Sequence, residues 1–138
     1  MVVKETLRLY PPIGRIGRRP VGVVKLDRLV LPGNAAVSLS PFVTQRDSRR
    51  FVEPDSFQPE RWSEEADRPR FAWFPFGAGP RSCIGEHFAR MVLALTVATI
   101  AQRWRLRAVS PTLPRTRSLL TVKPRGQVWM IPQPLARA

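Results

Sequence analysis

Apolar positions recur with a helical rhythm at two places in this chain and with a strand rhythm at several others. Val2 to Leu9 is amphipathic at helical spacing, and Pro11-Pro12 must end it, because proline removes an amide donor and restricts the residue before it. Val21 to Leu26, a turn at Asp27-Arg28, Leu29 to Leu31, a turn at Pro32-Gly33-Asn34 and Ala35 to Ser40 predict a small antiparallel meander across residues 21–40. Pro41 opens a short helix ending near Gln45. From 47 to 75, prolines at 54, 59, 69 and 75 forbid long elements, while Phe51, Phe57, Trp62, Phe71, Trp73 and Phe74, with Phe76 just beyond, supply bulky anchors. This predicts an ordered coil held by aromatics. A glycine-rich loop at 76–85 precedes the strongest helical pattern, residues 85–104. Phe88, Val92 and Leu95 lie on one face of that helix, and Leu93, Val97, Ile100 and Trp104 on the adjoining face. So wide an apolar surface implies burial on more than one side. Ser118 to Val122 and Val128 to Ile131, flanking Lys123 to Gln127, predict a terminal hairpin over 118–131.

Composition narrows the class. With 138 residues and 43% hydrophobic side chains the chain is the size of one ordinary domain, and its 15 prolines are about twice the usual share of roughly 5%. Lysine and arginine number 23 against 10 acidic residues, and the excess is uneven: residues 71–138 hold ten basic side chains and a single acid, Glu86. Such a surface attracts anionic partners. The one cysteine, Cys83, excludes an intrachain disulfide, and with the one histidine, His87, it cannot build a four-ligand zinc site. The start lacks the apolar region of a signal peptide. The apolar run from Met91 to Gln102 falls short of the roughly 20 residues that span a bilayer, so a soluble, cytoplasmic chain is expected.

Three features converge on the Cys83 sulfur. A following helix N-terminus and Arg81, two residues earlier, both favour thiolate. Glycines at 77, 79 and 85 let the backbone bend sharply and approach a flat ligand. A metal held by this lone sulfur needs its other ligands from elsewhere, and a porphyrin supplies four nitrogens. A single cysteine is more often a small buried hydrophobe. The segment Phe76-Gly77-Ala78-Gly79-Pro80-Arg81-Ser82-Cys83-Ile84-Gly85, however, fits F-x-x-G-x-R-x-C-x-G at every fixed position. Chance produces such a match in about three of ten million windows at roughly one in twenty per position.

With that motif the chain resembles the C-terminal part of the cytochrome P450 family, the haem-thiolate monooxygenases. Glu5-Thr6-Leu7-Arg8 is similar to the family's E-x-x-R helix and Pro59-Glu60-Arg61-Trp62 to its P-E-R-W segment. Order and spacing agree from residue 4 to about 132. The resemblance implies a mixed α+β fold, helices with small antiparallel sheets, as a truncated portion of the P450 fold. It implies insertion of one oxygen atom from O2 into an organic substrate. It also implies haem b (iron-protoporphyrin IX) as cofactor and electrons ultimately from NAD(P)H through a redox partner. Cys83 then matches the axial iron ligand and catalytic residue, and Arg81 a haem-propionate contact. Arg18 or Arg19, with Arg19 preferred, matches a second propionate contact. Phe76 matches the aromatic beside the haem, and Gly77, Gly79 and Gly85 the glycines of the cradle. Ile13, Gly14, Leu119 and Leu120 match segments facing substrate. Glu5, Arg8 and Arg61 match a buried salt-bridge triad. Read from the residues alone, Glu5 and Arg8 are an exposed helix pair contributing about 0.2–0.5 kcal/mol.

The chain departs from the family at Gln45, where many members carry histidine, which affects one polar contact near the haem. It also lacks anything like the upstream helix whose acid and alcohol deliver protons to oxygen. The basic thiolate-side face suits an acidic ferredoxin or reductase-type electron donor. Two other readings remain open. One is a basic module binding nucleic acid or other anions, drawing on the net charge and on the aromatics interleaved with arginine from Arg68 to Phe76. The other is an inactive relic fragment.

Overall fold

Val2–Leu9 forms α1, in a computed structural model that describes residues 1–63, 68–112, 115–118 and 121–135. Leu7 and Leu9 bury their side chains, and the helix stops where Tyr10 N–H bonds back to the Thr6 carbonyl at 2.7 Å, ahead of Pro11. Strands β1 (Ile16–Arg18), β2 (Val24–Leu26), β3 (Leu29–Leu31) and β4 (Val37–Leu39) follow, then α2 (Pro41–Thr44). Ser40 caps α2 by accepting from Val43 N–H at 3.3 Å, with proline in the first turn where no amide partner is needed.

The predicted meander resolves differently. β2 and β3 form a hairpin through Asp27 at φ 49°, but β4 leaves β3 and pairs antiparallel with β1, Gly17 opposite Ser38. Pro32 cannot donate to a continuing ladder. Asn34, at φ 64°, then turns the chain so that its N–H bonds to the Pro20 carbonyl at 2.7 Å. A side chain at Gly33 would sit 3.3 Å from the Val21 carbonyl oxygen, so glycine lets the two legs of the hairpin close. β4 is thereby delivered to β1.

The coil from 47 to 75 contains a 3₁₀ turn at Pro59–Trp62. Its core is an aromatic ladder, Phe51 against Trp62 at 6.4 Å between centroids and Trp62 edge-on to Trp73 at 5.5 Å. Phe57 and Phe71, expected among the anchors, are about half exposed instead, and Phe71 occupies a left-handed conformation at φ 66°.

The long helix, α3, spans Glu86–Ala101 and ends three residues earlier than its pattern suggested, because Trp104 is recruited into a strand. Its apolar side chains, among them Phe88, Leu95 and Ile100, are exposed. β5 (Trp104–Ala108) pairs with β8 (Met130–Pro134), and β6 (Thr116–Ser118) with β7 (Val122–Pro124), all antiparallel. The expected 118–131 hairpin is therefore split between two sheets. The reason is donor availability. In β8 the alternate residues 131, 133 and 135 face β5, as the Leu135 N–H to Arg103 carbonyl bond at 2.9 Å shows, so Pro132 and Pro134 fall at outward positions. Gly126, at φ 101°, and the Arg125 N–H to Arg115 carbonyl bond close β6 and β7 as a separate ribbon.

Candidate cofactor site around Cys83

The frame of the site begins with a fully buried carboxylate. Glu5 Oε1 accepts from Arg8 Nη2 at 2.9 Å, Arg61 Nε at 3.0 Å and Gln58 N at 2.9 Å. Its Oε2 accepts from Arg8 Nε at 2.9 Å and Trp62 Nε1 at 2.8 Å. Burial alone would raise the Glu5 pKa. The hydrogen bonds from Arg8, Gln58 and Trp62 and the Arg8 charge outweigh it and hold the carboxyl at about 2. Arg8, with no exposed surface, spends its remaining donors on the carbonyls of Gln45 at 2.8 Å, Pro54 at 2.6 Å and Ser56 at 3.1 Å. Arg61 likewise donates to the Val52 carbonyl at 3.0 Å. Two guanidiniums thus knit α1 to the coil that leads to the cysteine loop, and a buried charge so paired tolerates the loss of neither partner.

The loop itself is shaped by backbone conformation. Gly77 lies at φ 78° and Gly79 at φ 70°, values that side-chain-bearing residues rarely adopt. Cys83 N–H donates to the Phe76 carbonyl at 2.9 Å, folding the loop back on itself. Gly85 then caps α3. A Cβ at Gly85 would lie 3.8 Å from the Cys83 sulfur and one at Gly77 3.7 Å from Ile16 Cδ1, ordinary contact distances, so it is the positive φ of Gly77 that requires glycine. Arg90 of α3 stacks over Trp73 and Phe76, its guanidinium carbon 4.8 Å and 5.6 Å from the ring centroids, and holds the helix to the loop.

Cys83, itself exposed, borders a cavity of about 340 Å³ lined also by Pro12, Ile13, Ile16, Arg18, Phe76 and Arg81. Its lining is mostly apolar, with Cys83 and two arginines among it. The family profile that matches residues 1–130 is that of cytochrome P450. This chain belongs to the cytochrome P450 family.

Among curated P450 relatives, cyclooctatin synthase of Streptomyces melanosporofaciens is 38% identical over 135 residues, covering 96% of this chain and 29% of its own length. The human mitochondrial 25-hydroxyvitamin D-1 alpha hydroxylase is 38% identical over 123 residues, covering 86% of this chain and 24% of its own. A solved cyanobacterial P450 with bound retinoic acid superposes with a TM-score of 0.90 at 26% identity, covering 97% of this chain and 32% of that one. A six-coordinate P450 from Thermus thermophilus gives 0.84 at 36% identity, over 94% and 35%. The chain therefore spans about a third or less of the length of these proteins, and its small sheets and few helices are part of the P450 fold.

Not every expected P450 site residue gathers at the thiol. Arg19 does not line the Cys83 cavity; its Nη1 donates to the Asn34 carbonyl at 3.2 Å, and Arg18 lines the cavity instead, its Nη1 donating to the Gly17 carbonyl at 2.8 Å. Strand alternation is the cause: Ile16 and Arg18 share one face of β1, and Arg19 follows on the other. Gly14 is buried and does not line the cavity, its carbonyl accepting from Ser40 Oγ at 2.8 Å, while Ile13 does line it. Gly79 shapes the turn without lining the cavity. Leu119 and Leu120 lie outside the described residues. His87 is exposed on α3.

The residue that sequence reasoning undervalued is Gln45. Its side-chain amide donates to the Leu7 carbonyl at 3.0 Å and the Arg8 carbonyl at 2.9 Å, and accepts from Phe74 N–H at 2.8 Å. The contact expected near the haem serves instead the open end of α1, where carbonyls have no helical partner. The departure from histidine was the only signal available.

Haem is the cofactor that P450 membership implies, and the donor set fits it. Among the described residues no group of three or more histidine, cysteine or acidic side chains could hold a metal. One soft sulfur beside a mostly apolar slot suits an iron that brings its own equatorial ligands, and the two arginines of the lining suit that group's carboxylates.

Proposed function

We propose that Cys83 is the axial thiolate ligand of haem b in a P450 monooxygenase, of which these 138 residues form the cysteine-side wall. Bound haem would supply the redox centre at which molecular oxygen is activated for transfer of one oxygen atom to an organic substrate, with electrons from NAD(P)H through a redox partner. The chain's own residues do the holding. Arg81 and Arg18 would each offer a guanidinium to a propionate, contacts that are charge-assisted and planar. Phe76 and Ile16 would pack against the macrocycle, beside Gly77, which lines the same cavity. Backbone N–H groups after Cys83 would temper the thiolate's basicity and tune the iron.

The observation that carries this reading is the cavity joining Cys83, Arg18, Arg81 and Phe76. The basic second half of the chain favours an acidic electron donor of the ferredoxin or reductase type, arriving on the thiolate side. No helix among the described residues is long and apolar enough to cross a membrane, and a cytoplasmic location is part of the proposal.

The test is spectroscopic. The chain supplied with haemin, reduced and exposed to carbon monoxide is expected to show the red-shifted Soret band of thiolate ligation, and Cys83→Ser to lose it. A band unchanged in Cys83→Ser would overturn the ligand assignment. Absence of any haem complex from the folded chain would overturn autonomous haem binding.

A further inference from the structure

We propose that Gln45 is a positioning residue for the cysteine loop, tying the C-terminal end of α1 to the backbone that carries Cys83. This deepens the function proposed above, since it concerns how the sulfur is held.

Gln45 has no exposed surface, and its side-chain amide uses both donors and its acceptor. The donors go to the Leu7 and Arg8 carbonyls, and its own backbone carbonyl accepts from Arg8 Nη1 at 2.8 Å, so the residue is clamped to α1 from two directions. The acceptor takes Phe74 N–H. From Phe74 the hydrogen bonds continue, Gly77 N–H to the Phe74 carbonyl at 3.0 Å and Cys83 N–H to the Phe76 carbonyl at 2.9 Å. The loop between those bonds holds two glycines at positive φ and offers little stiffness of its own.

Side-chain chemistry explains why an amide serves here. Two donors and one acceptor are needed on one short, planar group. A neutral imidazole supplies one of each, enough for one helix carbonyl and Phe74 N–H, whereas an apolar group of the same size supplies none. Without the amide, buried partners at both ends lose their hydrogen bonds, and the link from helix to loop is cut.

Residue-resolved amide hydrogen exchange on the chain, without haem, tests this. In the unsubstituted protein Phe74 N–H is expected to exchange as slowly as Leu9 N–H of α1. Exchange of Phe74 at the rate of an open loop would overturn the proposal whatever the variants do. In Gln45→Met, exchange at Phe74 and Cys83 is expected to rise about tenfold relative to Leu9, as for loss of one buried hydrogen bond. Gln45→His near neutral pH is expected to restore most of the Phe74 protection. An equal rise at all three amides in Gln45→Met would mean that Gln45 contributes only general stability. None of these readings needs haem, so the positioning role and the haem assignment fail separately.

Discussion

The indole Nε1 of Trp62 donates to Glu5 Oε2 at 2.8 Å, joining residues 57 positions apart. Trp62 therefore has two duties, filling the aromatic ladder with its ring and charging a hydrogen bond with its N–H. Trp62→Phe keeps most of the ring and deletes the donor. A loss of about 1.5–3 kcal/mol is expected, the range for a hydrogen bond to a charged group, read from urea unfolding at neutral pH. A loss near zero would show that the carboxylate has donors to spare.

Acid should attack the same carboxylate. The Glu5 carboxyl titrates at about 2 when folded, below its ordinary unfolded value near 4.3. A depressed folded pKa adds stability that is complete above the unfolded value and fades as pH falls from about 4.5 toward 2. Denaturant midpoints measured between pH 7 and pH 2.5 are expected to drop across that window. Glu5→Gln, which leaves Arg8 buried without its counter-charge, is expected to cost about 3–5 kcal/mol at pH 7 and to flatten the drop.

The two neighbouring arginines of the first sheet should separate cleanly. Arg18 borders the Cys83 cavity and Arg19 bonds the Asn34 carbonyl. Arg18→Ala is expected to weaken haemin binding about tenfold, as for loss of one charge-assisted contact, and Arg19→Ala to change it less than about threefold. Titration followed at the Soret band distinguishes them, and a larger effect of Arg19→Ala would return the propionate role to Arg19.

Gly77→Ala and Gly17→Ala form a matched pair. Open space surrounds a Cβ at Gly17, whereas Gly77 sits at φ 78°. Placing alanine in that left-handed conformation is expected to cost about 1–2 kcal/mol, and the Gly17 change to be close to neutral, by chemical denaturation of both variants.

The particular residues show where sequence was informative and where it was not. α1 and the cysteine loop were legible because proline, glycine and helical spacing act locally, and the segment carrying Arg61 was legible as a motif in the expected order, though its 3₁₀ turn was read only as coil. Strand partners were harder. β4 chose β1 over β3, and β8 chose β5, because pairing depends on which edge still presents amide donors after Pro32, Pro132 and Pro134 have removed theirs. Arg18 and Arg19 were adjacent in sequence and became distinguishable only once β1 set its alternation. Gln45 was opaque for a related reason: its value lies in backbone groups of Leu7, Arg8 and Phe74, whose side chains reveal nothing about it.

The prolines of β8 have a consequence for how the molecule meets others. With Pro132 and Pro134 facing outward, that rim of the sheet carries carbonyl oxygens interrupted at alternate positions by rings where a zipper of amides would be required. Of the three outward positions only Met130 keeps an N–H, so a passing extended peptide finds three acceptors there against one donor, and a strand recruited to this sheet is better matched along β5.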